Sequence, residues 1–113
     1  MKSDRYYILH ICDEIQFLDT ALDGVSFSLF CDNPMLKHAV ERSLEIIGEA
    51  SKKLSPSFKE VYASIEWRAV AGTRDKLIHD YMGVDYELVW DILITKIPEL
   101  KQVIRQALEE WPN

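Results

Sequence analysis

The sequence predicts an all-α protein, an antiparallel four-helix bundle with short extra helical turns. Three observations lead there. Apolar residues recur at steps of three and four in four long segments, the period of a helix with one buried face. Four glycines and four prolines in 113 residues are too few for a turn-rich β fold. No segment alternates apolar and polar residues for long enough to compete as a strand. A chain of this length builds one hydrophobic core, so residues 1–113 read as a single domain.

The first helix spans residues 5 to 24. Ile8, Ile11, Ile15, Leu18 and Leu22 form its stripe, and Gly24 stops it. "VSFSLFCDN" reads as a connector whose aromatics pack under the bundle. The next helix is capped by Asn33, carries Pro34 in its first turn, where a missing N–H costs nothing, and ends at Pro56. Leu36, Val40, Leu44, Ile47 and Leu54 face inward. Glu41, Glu45 and Glu49 form a row that reads either as a solvated face, helped by a Glu49–Lys53 pair, or as part of a site. Gly48 costs this helix roughly 1 kcal/mol relative to Ala, which a close approach by another backbone would explain.

A short turn capped by Ser55 and Pro56 follows. A third long helix then runs from about Trp67 to Tyr81, closed by Gly83, and Asp85 caps the last one. In that final segment Tyr86, Val89, Trp90, Leu93, Ile97, Leu100, Ile104, Leu108 and Trp111 face inward, and Pro98 should kink or divide it.

Composition removes several function classes. Thirteen basic residues against nineteen acidic give a net charge of −6, which argues against a general nucleic-acid coat but leaves room for a local cationic site. No apolar run approaches the ~20 residues of a membrane span, and the N-terminus turns charged too early for a signal peptide, so the expected location is cytoplasmic, with no membrane partner. Cys12 and Cys31 read as ordinary buried thiols. His10, His38 and His79 lack metal-ligand spacing, and neither a metal nor another cofactor is expected.

The chemistry concentrates in "GTRDKLIHDY", residues 72 to 81. At 100° per residue, Trp67, Val70, Leu77, Ile78 and Tyr81 fall within about 60° of Arg74, which places Arg74 at the centre of the apolar stripe. A guanidinium there needs an anion or several acceptors. One reading pairs it with an acid of "ERSLEIIGEA". The other takes the motif as a set. Arg74 grips a phosphate through two parallel hydrogen bonds, Asp75 orients His79 from four residues away at the edge of the stripe, and His79 moves a proton near neutrality. Lys76 and Asp80 point to the solvated side. Arg74 and His79 diverge by about 140° around the helix, so one copy makes a poor site. Two copies meeting across a two-fold axis would pool their residues.

"RDKLIHDY" fits R-x4-H-x-Y, the signature of HEPN-domain ribonucleases. Together with "LEIIGEASKKLSP", "IEWRAVAGTRDKLIHDYMGVD" and "VWDILITKIPELK", it makes residues 5 to 109 resemble the HepT toxins, whose partner is the minimal nucleotidyltransferase MntA. The resemblance implies a HEPN-like homodimer joined through the motif helices. It implies RNA as substrate, cleaved without a metal by attack of a ribose 2′-hydroxyl on the adjacent phosphate. It makes Arg74 and His79 catalytic, Asp75 their polar assistant, and Tyr81 the residue to which the partner adds AMP, silencing the toxin. Two other readings remain open at this level: a non-catalytic nucleotide-binding or scaffolding subunit of a nucleotidyltransferase complex, and an inactive homodimeric bundle.

Overall fold

The structure, a computed structural model, describes residues 2–79 and 83–112, without the side chains of Arg74, Ile78 and His79. Its helices are α1 (Asp4–Ala21), α2 (Phe27–Cys31), α3 (Pro34–Lys52), α4 (Pro56–Val61), α5 (Trp67–His79), α6 (Tyr86–Asp91) and α7 (Ile97–Glu110), with a π turn, Ile92–Lys96, joining the last two. No strand occurs among the described residues, so the all-α expectation holds. None of these helices is long and apolar enough to cross a membrane.

Local chemistry sets the helix starts. Ser3, Ser26, Asn33, Ser55 and Asp85 each accept a hydrogen bond from the backbone N–H three residues on. Each satisfies one of the donors that a helix leaves open in its first turn. Pro34 and Pro56 each stand in a first turn.

Long-range bonds give the directions. The Asp4 carboxylate accepts from the Ser55 backbone N–H at 2.8 Å and from its hydroxyl at 2.6 Å, joining the start of α1 to the end of α3. Arg5 donates to the Leu108 carbonyl at the end of α7, and Lys101 near its start pairs with Asp19 near the end of α1. The Tyr86 hydroxyl donates to Glu41, joining α6 to the first half of α3. α1 therefore runs antiparallel to both α3 and α7. α3 packs between α1 and α5, and α7 packs on α1. The core is continuous, with Ile8, Ile11, Val40, Phe30, Phe58, Val89 and Ala107 fully enclosed.

The segment 25–33 is not a plain connector. Ser26 caps a helical turn there, and Phe30 is buried beside Tyr86 and Trp90. Five residues are too few for an apolar stripe to declare itself. α1 stops at Ala21, and Gly24 sits in the following loop with φ 72°, a conformation that only glycine adopts without strain. α3 stops at Lys52, and Pro56 opens α4 rather than ending α3.

Pro98 divides the last segment, as expected, but the break lies before it. The Ile97 N–H donates to the Ile92 carbonyl five residues back, the wider π register. In the ordinary register the Pro98 ring would press on the carbonyl four residues earlier, and the wider turn relieves that crowding.

The glutamate row is mixed. Glu41 is largely covered and accepts from Tyr86, Glu45 pairs with Arg42 at 3.3 Å, and Glu49 is exposed and takes no part in the ion pairs found among the described residues. Gly48 is buried in α3. Cys12 and Cys31 are free thiols at the margin of the core.

Candidate functional site

α5 carries the motif, and its first turn is fixed by aromatic packing. The rings of Phe58, Tyr62, Trp67 and Trp111 meet edge-on or tilted, with Phe58 5.6 Å from Trp67 and 5.1 Å from Trp111. The Trp67 indole N–H donates to the Tyr62 carbonyl at 2.9 Å. Tyr62 is buried, and its hydroxyl donates to the Glu110 carboxylate at 2.7 Å. The helix that presents the site is thereby tied to the end of α7.

That tie has a pH signature. Burial, then the hydrogen bond and the charge of Glu110, push the Tyr62 hydroxyl up from 10.0 to about 12. The fold holds the neutral phenol. Its contribution is complete below pH 10, falls as the unfolded chain loses its proton first, and is gone as pH rises through about 12. Tyr62→Phe should lower the urea midpoint at pH 8 by removing the Glu110 bond. Between pH 10 and 11 its midpoint should then fall less steeply than that of the unaltered protein. Parallel curves would show that Tyr62 titrates no differently on folding.

The buried side of α5 is formed by Trp67, Val70, Thr73 and Leu77. Thr73 belongs there despite its hydroxyl because it donates to the Ala69 carbonyl at 3.1 Å. Taken over these four side chains, the inward direction lies about 45° from position 74, toward Thr73. Position 75 lies about 145° around the helix from that direction. Asp75 is exposed, in keeping with this, and Lys76 is exposed as expected.

The side chains of Arg74 and His79 lie outside the described residues, as do Asp80 and Tyr81 entirely. The contact between Asp75 and His79 therefore lies outside the description too. What the fold establishes is the frame: one continuous helix carries positions 74, 75 and 79, with 74 and 79 about 7.5 Å apart along its axis.

On its Thr73 side α5 stands away from α7. A cleft of about 320 Å³ opens there, floored by Leu44 and Ile47 and rimmed by Lys76 and Lys96. The π turn forms part of its far wall. The sequence pattern gave no sign of this cleft, because its shape depends on the widened turn before Pro98.

Gly72 is a further feature of this helix. It stands inside α5, where glycine weakens a helix by about 1 kcal/mol relative to Ala. Nothing lies within 4 Å of the place a Cβ would take, so no crowding within the chain requires it. A glycine in mid-helix is visible in sequence, but whether its surroundings are open is not.

The chain was compared with known proteins. A family model described as "Ribonuclease HepT-like" matches residues 11–107. A candidate RNase of Caldanaerobacter subterraneus subsp. tengcongensis is 44% identical over 110 residues, covering 97% of this chain and 98% of the relative. A candidate RNase of Methanocaldococcus jannaschii is 36% identical over 116 residues, covering 99% and 96%. A candidate ribonuclease HepT of Thermococcus cleftensis is 39% identical over 100 residues, covering 88% and 91%. No solved structure matches the chain.

Proposed function

This chain belongs to the HepT-like ribonuclease family, and from that premise we propose that it is the toxin of a toxin–antitoxin pair, a metal-independent RNA endonuclease. Its active site is composite, built from Arg74 and His79 of two copies, with Asp75 in support. The observation that carries the reading is that positions 74, 75 and 79 share one continuous helix, α5. Asp75 is exposed. A reactive face turned outward is open to RNA and to a second copy.

The chemistry uses two side chains in different roles. Arg74 holds the scissile phosphate by parallel N–H bonds and offsets the charge that builds up on its oxygens during attack. His79 is the proton carrier at near-neutral pH. The ribose 2′-hydroxyl loses its proton, its oxygen bonds to the adjacent phosphorus, and the bond to the 5′-oxygen of the next nucleotide breaks. The products are a 2′,3′-cyclic phosphate and a free 5′-hydroxyl, and no water or metal enters the balance. Asp75, one turn from His79, holds the imidazole in one orientation and stabilises its charged form. The partner is an MntA-like minimal nucleotidyltransferase that adds AMP to Tyr81.

Expression of the chain alone in a bacterium tests this. Growth should stop, and an Arg74→Ala, His79→Ala double variant should grow. Light scattering on the double variant should give twice the 13.1 kDa chain mass. Unimpeded growth with the intact chain, together with RNA left uncut by the purified protein, would leave a non-catalytic nucleotide-binding subunit as the better account. A monomeric mass would exclude the shared site.

A further inference from the structure

Resting on the ribonuclease reading above, we propose that Arg68 and Lys76 bind phosphates of single-stranded RNA on either side of Gly72, making the outer face of α5 the track that carries substrate to the motif. Three observations converge. Arg68 and Lys76 are both exposed, and each lies one turn from Gly72. They are about 12 Å apart along the axis, and Lys76 is about 4.5 Å along it from position 79. Arg68, Gly72 and position 79 fall within about 40° of one another around the helix, and Lys76 lies a further 40° on. The two cations therefore stand on the side turned away from the core.

The second observation is the glycine. A Cβ at position 72 would meet nothing within 4 Å, so the chain's own packing gives no reason to forgo a side chain there. Ala69, three residues before Gly72 and about 60° from it toward the Lys76 side, is also small and exposed. The surface between the two cations is low, and a sugar–phosphate backbone can lie close against it. The third is the overall charge of −6. Long-range attraction cannot bring RNA to this protein, so its phosphates must be met by local cations. Asp75, also exposed, lies about 100° from Lys76 around the helix, so the track keeps to the Lys76 side of the ridge.

The probe is a short single-stranded RNA with every 2′-hydroxyl methylated, which can bind but cannot supply the attacking oxygen. Binding by the full chain is measured across a salt series. Each phosphate contact to a single strand contributes about 0.7 to the log–log salt slope, so Arg68→Ala with Lys76→Ala should flatten it by about 1.4. On unmodified RNA the same variant should raise KM and leave kcat in place. Gly72→Leu should weaken binding several-fold, and Gly72→Ala should raise the melting temperature, each with an unchanged light-scattering mass. An unaltered slope in the double variant, or no binding by the unaltered protein, overturns the track. So does loss of the dimer in Gly72→Leu, which would make this face a contact between copies. If the slope falls as expected but unmodified RNA is never cut, the track stands and the ribonuclease reading fails.

Discussion

His79→Ala should abolish RNA cleavage while leaving the helical content of the protein unchanged. Position 79 is the last described residue of α5, and the described packing of that helix is formed by Trp67, Val70, Thr73 and Leu77. Removing a proton carrier from such a reaction lowers its rate by roughly a hundredfold or more. Asp75→Asn should cost less, because an amide still orients the ring but no longer stabilises its positive form. Arg74→Lys should not rescue Arg74→Ala, because an ammonium cannot make the two parallel bonds of a guanidinium. EDTA should have no effect on the unaltered protein. The measurement is a cleavage time course on a labelled RNA, paired with far-ultraviolet circular dichroism. Cleavage that survives His79→Ala, or that stops with EDTA, would overturn the proposed mechanism.

The long helices were legible because their signals are local and repeated. Asn33 with Pro34, Ser55 with Pro56, and Asp85 each combine a cap with the start of an apolar stripe, and each caps a helix in the structure. α2 carries the same signal in Ser26, but its five residues show no period. At Pro98 the sequence indicated a break, yet only the competition between the proline ring and the preceding carbonyls decides that a π turn absorbs it. The motif was legible as a set of residue types. The full inward side of α5 was not, because Thr73 belongs to it. A threonine that satisfies its hydroxyl on the preceding turn packs like an apolar residue, and a pattern that counts only apolar side chains misses it. Glu41 is the converse case. It belongs to a charged row, but the Tyr86 hydroxyl at 3.2 Å draws it into the bundle. Burial, followed by the charge and hydrogen bond of Glu41, then raises the Tyr86 hydroxyl above its ordinary range.

Incubation with the partner nucleotidyltransferase, ATP and magnesium should add one AMP to the chain, and Tyr81→Phe should block the addition. In this transfer the Tyr81 oxygen bonds to the α-phosphorus of ATP, pyrophosphate leaves and the phenolic proton is released. Tyr81 itself lies outside the described residues, and its position in the chain supports the expectation. It comes two residues after the end of the described part of α5 and two before Gly83, and α6 begins at Tyr86. It is also seven residues after Arg74, a spacing that a continued helix would place on one side, about 10.5 Å along. A phosphate joined there stands within reach of the arginines of a shared cleft and takes the place that an RNA phosphate needs. The nucleoside adds bulk in the same place. AMP addition should therefore suppress cleavage to the level of His79→Ala. Tyr81→Phe keeps the ring and loses the acceptor oxygen, so it should yield a chain that cuts RNA and that the partner's transferase activity cannot silence. Intact-protein mass and RNA cleavage, followed together, decide the matter. A gain of AMP that persists in Tyr81→Phe would place the modification on another residue, and full cleavage by the modified chain would separate modification from inhibition.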